Sequence, residues 1–205
     1  MKVRTTALAL ALLGTACAHA PAQKPPAEAS VDPAAQLLAQ TCAQKGTQCL
    51  ETAIPVSLLR ADGSTYQDVI TPPTPIIQYD SVSLYAGQTL YIEADVDQQG
   101  GLMNLRAVSA NTHPAATLVL TLKQTALDNG KRVMTLEVTN PFDRILRYHG
   151  NLMPLDSDET VKTVTCPAVP KLPNTQTFPN PVFMLQLTGF RLLAPEDPAG
   201  IYCAE

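Results

Sequence analysis

The residues whose types and spacing could do chemistry are few: three histidines, five cysteines and two acidic runs among 205 residues. Histidine is the commonest general base. His113 precedes Pro114 and reads as a loop residue, while His149 follows Tyr148 on an apparent strand. The rhythm of Leu146, Tyr148 and Leu152 points inward, which turns His149 outward beside Arg147. His19 lies near the N-terminus, away from both. The sequence holds no GxSxG elbow, no HExxH pair and no phosphate-binding P-loop. Glu93, Asp95 and Asp97 alternate on one face of a strand-like segment headed by Tyr91. A row of oxygens suits calcium or a basic partner, but it equally suits a solvated face whose like charges discourage edge pairing. The second is the expectation. Asp156, Ser157, Asp158 and Glu159 read as a turn, since the glycine and distant glutamate of an EF-hand do not follow. No catalytic residue, metal or cofactor is therefore expected.

The cysteines carry a different message. Five is an odd number, and setting Cys17 aside leaves Cys42, Cys49, Cys166 and Cys203 for two disulfides. Four cysteines allow three pairings; Cys42–Cys49 with Cys166–Cys203 is preferred because each partner is local and the second bond clamps the C-terminal tail. Loop closure would contribute about 2.5 kcal/mol for the first and about 4 kcal/mol for the second. A zinc site is disfavoured because no CxxC spacing occurs.

Residues 1–16 read as a signal peptide. Lys2 and Arg4 supply a positive start, Ala7 to Leu13 an apolar run too short to span a bilayer, and Gly14, Thr15 and Ala16 small residues for cleavage. The stretch Leu12-Leu13-Gly14-Thr15-Ala16-Cys17 resembles the lipobox of bacterial lipoproteins, although Gly14 stands where that family has a larger apolar residue. The resemblance implies lipidation of Cys17, with Ala18 after it directing the chain to the outer membrane. The alternative is plain secretion with cleavage after Ala18. Residues 17–31 hold little to bury and read as a flexible tether.

Removing Lys2 and Arg4 from 14 basic residues leaves 12 against 18 acidic ones, a net charge of −6. Nucleic-acid binding draws on clustered cations, so that balance speaks against it. Membrane contact is expected through the N-terminal lipid only.

What must position these residues is a β-domain. Asp32-Pro33 reads as a helix start, followed by a short helix and a disulfide loop within 32–49. From 50 to 205 the pattern is period two. Leu90, Ile92, Ala94 and Val96 alternate with Tyr91, Glu93, Asp95 and Asp97. Leu118, Leu120 and Leu122 form a second such row, Met134, Leu136 and Val138 a third, and Phe183, Leu185 and Leu187 a fourth. One greasy and one wet face is the mark of antiparallel sheets that need a second layer. An all-β, antiparallel two-layer sandwich, immunoglobulin-like in architecture, is expected.

Turn chemistry refines the register. A three-residue loop of Asp128, Asn129 and Gly130 sets Leu122 against Leu136 and Leu120 against Val138, which keeps both rows on one face. A two-residue turn at Gln99-Gly100 would pair Val96 with Met103 and Ala94 with Leu105. Residues 166–181 contain five prolines and are expected to run without ladder bonds. Tyr66, Tyr79 and Tyr85 cluster around the proline-rich 72–75 segment, either as an interface or, as favoured here, as cover for a sandwich edge.

The function expected is a non-enzymatic envelope module, tethered by lipid, that binds or positions another envelope protein. A small-ligand or lipid carrier with a cavity between the sheets is the alternative, and a hydrolytic or metal-dependent enzyme built on His113 and His149 the third. The anchor is directly testable. Labelled fatty acid should enter the wild-type chain and be absent from Cys17→Ala; a wild type that takes up no label leaves plain secretion.

Overall fold

A computed structural model describes residues 32–194, 197 and 202–204. The segments read as signal peptide (1–16) and tether (17–31), with Cys17 and His19, lie outside the described residues. Helix α1 (Pro33–Cys42) starts as expected: the Asp32 carboxylate accepts the Ala34 N–H at 3.0 Å, and Pro33 occupies the first turn. None of its residues is buried.

Thirteen strands follow among the described residues: β1 (Thr47–Cys49), β2 (Ile54–Leu59), β3 (Thr65–Ile70), β4 (Pro75–Gln78), β5 (Ser81–Tyr85), β6 (Thr89–Val96), β7 (Leu102–Val108), β8 (Thr117–Ala126), β9 (Arg132–Thr139), β10 (Leu146–Pro154), β11 (Val161–Thr163), β12 (Pro173–Phe178) and β13 (Val182–Leu192). They form a six-stranded sheet in the order β1-β4-β5-β13-β10-β11, a five-stranded sheet β12-β9-β8-β6-β7, and a small β2-β3 hairpin. All pairings are antiparallel. The two large sheets pack as the expected sandwich.

The core is the set of inward rows. Leu120, Leu122, Met134 and Leu136 of one sheet meet Leu84, Leu146, Leu185 and Leu187 of the other, all at 0% exposure. Burying such a side chain contributes about 1.5–3 kcal/mol, so these rows hold the layers together. Val56 and Leu58 of the hairpin join the same cluster.

The β8–β9 hairpin has the loop its sequence requires. Leu122 faces Leu136 and Leu120 faces Val138, Leu127 N–H donates to Lys131 O at 2.7 Å, and Gly130 takes φ 79°. The β6–β7 hairpin differs from the two-residue turn expected. Asp97 N–H donates to Gly101 O at 2.9 Å across a three-residue loop in which Gly100 has φ 87°. The cause is the Asp97 carboxylate, which accepts the N–H groups of Gln99 and Gly101 at 2.8 and 2.7 Å and fixes the longer loop. Near the turn Val96 therefore faces Leu102, not Met103. A bulge at Asn104 (φ 51°) restores the expected register, so that Glu93, Ile92 and Tyr91 face Arg106, Ala107 and Val108. It also lets Leu102 and Leu105 both point inward, while Val96 and Met103 are each 44% exposed.

A second departure is β12. Pro173–Phe178 lies in the stretch expected to make no ladder bonds, yet it pairs with β9 along its length. Pro173 is the first residue of an edge strand, the place where a missing N–H does least harm. β1 is likewise a strand within the expected disulfide loop, paired with β4.

Both disulfides form in the local pairing, Cys42–Cys49 and Cys166–Cys203. The second fastens the tail, where Thr165 and Ala204 exchange backbone hydrogen bonds at 2.9 and 3.0 Å. The corner between β9 and β10 turns on Asn140, fully buried, whose Nδ2 donates to Arg144 O at 2.8 Å and Ala168 O at 2.9 Å.

Two glycines should respond differently to alanine. At Gly100 a Cβ would sit 2.4 Å from Leu192 O and 2.7 Å from Arg144 Nη2, whereas at Gly130 nothing lies within 4 Å. Gly100→Ala is expected to cost about 2–4 kcal/mol by urea unfolding, and Gly130→Ala only about 1 kcal/mol, the left-handed backbone penalty alone.

Candidate functional site

The residues singled out by type do not form one site. His149 projects from the exposed outer face of β10, opposite Thr188. His113 sits in the loop before β8, 72% exposed, with its Nδ1 3.0 Å from the Glu93 carboxylate. Because Tyr148 and Ile92 point into the core, the two histidines occupy opposite outer faces of the sandwich.

The acidic row is neutralised from within. Glu93 meets Arg106 at 3.9 Å as well as His113, and Asp95 meets Arg106 at 3.5 Å and the Asn104 amide at 2.9 Å. Asp97 is engaged in its own turn. The Asn104 hydrogen bond, followed by the Arg106 charge, holds the Asp95 carboxyl below its ordinary pKa. In the second acidic run, Asp156 accepts Arg60 Nε at 3.1 Å and Ser157 closes a turn onto Glu159 N–H at 3.1 Å.

The tyrosines divide. Tyr66 and Tyr85 both set their rings edge-on against Phe183, at centroid distances of 6.2 and 5.9 Å, and act as cover, though over β5 and β13, interior strands of the six-stranded sheet, and not over its edge. Burial raises the pKa of Tyr85. Tyr79 departs from that reading. It occupies the two-residue turn between β4 and β5 and is 66% exposed. Its backbone lies in the left-handed region, φ 56°, a conformation that costs an ordinary side chain roughly 1–2 kcal/mol. The turn after α1 holds it there: Tyr79 N–H donates to Gly46 O at 2.9 Å, and a Cβ on Gly46 would lie 3.4 Å from the Tyr79 ring.

Strain of that kind concentrates at functional positions, and here it borders a groove. Tyr79, Asp80, Lys45, Leu102, Met103 and Leu105 line a depression of about 580 Å³ along β7, the last strand of its sheet. The two ends of β7 are fastened: Leu192 N–H donates to Gly100 O at 2.7 Å at its start, and Ala107 N–H donates to the Gln48 side chain at 2.6 Å near its end. Between them lies a short strand edge beside an exposed tyrosine and a half-exposed methionine. Sequence reasoning named Tyr79 but missed Met103 and Lys45. An unexpected bulge exposes Met103, and an unforeseen strand, β1, brings Lys45 alongside.

The chain matches no family model, no curated protein and no solved structure. Among the described residues no helix is long and apolar enough to cross a membrane.

The Asp95 interaction gives a pH test. A carboxyl held low in the folded state contributes stability above its unfolded pKa and loses it as pH falls through the folded one. Carboxyl-carbon NMR should place the Asp95 midpoint below the ordinary Asp range, and Asn104→Ala should move it upward; an unchanged midpoint would deny Asn104 that role.

Proposed function

We propose that this chain is an exported envelope module, lipid-anchored at Cys17, that binds another envelope protein by seating an extended, apolar segment in the Tyr79–Met103 groove. The observation that carries this reading is Tyr79: an aromatic ring left exposed on a backbone conformation that disfavours it, with Gly46 keeping it in place. Tyrosine and methionine are enriched where proteins recognise one another. A strand edge beside an apolar depression suits a partner that lies extended, its backbone along β7 and one greasy side chain in the groove. Lys45 and Asp80 at the rim supply one charge of each sign, which fits a segment of balanced charge.

Leu120, Leu122, Met134 and Leu136 packed against Leu84, Leu146, Leu185 and Leu187 between the sheets favour surface recognition over a carrier's cavity.

Tyr79→Asn provides the test, because asparagine tolerates the left-handed region. If the ring is kept for binding, this variant should be equally stable or more stable, by up to about 1 kcal/mol in thermal unfolding. A photocrosslinker at Met103 should then capture one discrete protein in the wild-type background and lose it with Tyr79→Asn, while a probe at Val69 captures neither. Marked destabilisation by Tyr79→Asn would make the ring structural, and identical adducts from both probe positions would remove the groove as the binding face.

A further inference from the structure

At another place on the surface, three turns meet around a groove of about 370 Å³: the β2–β3 turn, the tip of the β8–β9 hairpin and the β12–β13 turn. Its lining includes Arg60, Lys131 and Arg132, set against the rings of Pro179 and Pro181; the carboxylates acting on it are Asp62 of the same turn, whose exposed side chain is turned onto Ser64, and Asp156. In a chain of net charge −4 this gathers cations against the overall balance. We infer that this groove is a binding site for a small phosphate-bearing ligand.

Three features make it more than scattered surface charge. First, the backbones beneath the cations are fixed. Arg60 N–H donates to Ser64 O at 2.8 Å, Lys131 O accepts Leu127 N–H at 2.7 Å, and Arg132 pairs with Ala126 in the ladder. Second, the cations are only partly spent. Arg60 lies 5.1 Å from the centre of the Tyr66 ring and gives its Nε to Asp156, whose side chain is 68% exposed, so that this pair is weak. The two terminal nitrogens of Arg60 make no hydrogen bond among the described residues, and Lys131 and Arg132 side chains pair with no carboxylate there. Third, the chemistry matches. A guanidinium with its terminal nitrogens free grips phosphate oxygens in a bidentate fork, and an ammonium adds a point charge beside it. The proline rings offer an apolar wall to whatever the phosphate is esterified to, and the volume suits a headgroup or sugar phosphate, not an acyl chain.

The ligand chemistry has two sources, a soluble phosphate monoester or the phosphodiester headgroup of a lipid, and the probes separate them. The full chain should be titrated with inorganic phosphate, glycerol 3-phosphate and glycerophosphoglycerol, following amide shifts by NMR. Perturbations should centre on Arg60, Lys131 and Arg132, and Lys131→Gln/Arg132→Gln should weaken binding about tenfold or more. Asp156→Asn, which removes the negative charge beside the Arg60 guanidinium, should tighten it by about threefold. Stronger binding of glycerol 3-phosphate assigns a soluble ester; stronger binding of glycerophosphoglycerol assigns a lipid headgroup. The proposal falls if no probe perturbs these residues, or if Lys123→Gln on the outer face weakens binding as much as the double substitution.

Discussion

A β-sandwich hides its faces easily and its edges with difficulty. Every edge strand leaves N–H and C=O groups that must find partners or water, and this molecule answers with side-chain carboxamides. An amide side chain offers the same donor and acceptor as a peptide group. Gln48 accepts from Ala107 N–H at 2.6 Å and so links β1 of one sheet to β7 of the other. On the opposite side Gln176 of β12 accepts from Cys166 N–H at 3.1 Å and donates to Val164 O. Gln124 does both for Leu59, at 2.9 and 2.8 Å, and fastens the small hairpin to β8. Each carboxamide stands in for one residue of a missing strand. The inter-layer core supplies most of the stabilisation, and these contacts fix how the layers are aligned at their margins.

That division explains what was legible in the sequence. Rows such as Leu118, Leu120 and Leu122 announce themselves because burial of one face enforces period two, and hairpin parity then fixed the β8–β9 register correctly. The β6–β7 error has a local cause: Asp97 captures two backbone N–H groups and lengthens the loop, and Asn104 absorbs the extra residue as a bulge. Neither event disturbs the apolar pattern enough to be seen. β12 was missed for a related reason. Proline density argues against a ladder, but Pro173 sits at the start of an edge strand, and the rest of that strand, Asn174 to Phe178, contains no proline.

The candidate sites were less legible than the fold, and necessarily so. Candidate residues that share a strand can be read from spacing, as with Glu93 and Asp95, and those proved to be paired with Arg106, His113 and Asn104. Residues brought together from separate turns leave no spacing to read. Arg60 is about 70 positions from Lys131 and Arg132, and only the folded hairpin tips make them neighbours. Tyr79 could be named from its type, but its exposure depends on the turn conformation, which a tyrosine would not ordinarily suggest.

The same physics locates recognition at the turns. Both inward faces are consumed by the core, Arg106 and its acidic partners occupy much of one outer face, and the sheet margins are stitched by glutamines. What remains available are the places where the chain reverses and the short stretch of β7 edge between its fastened ends. Residues there are released from period two and can be chosen for what they present, not for how they pack. Tyr79 shows the cost of that choice most plainly, because glycine or asparagine would sit at its backbone conformation with less strain. A position that selection governed by stability alone would have softened is instead held by a hydrogen bond from a neighbouring turn. The strain is tolerable because the Cys42–Cys49 bond and the β1–β4 pairing anchor the segment that carries Gly46, so that the small disulfide loop serves the exposed ring as directly as it serves the fold.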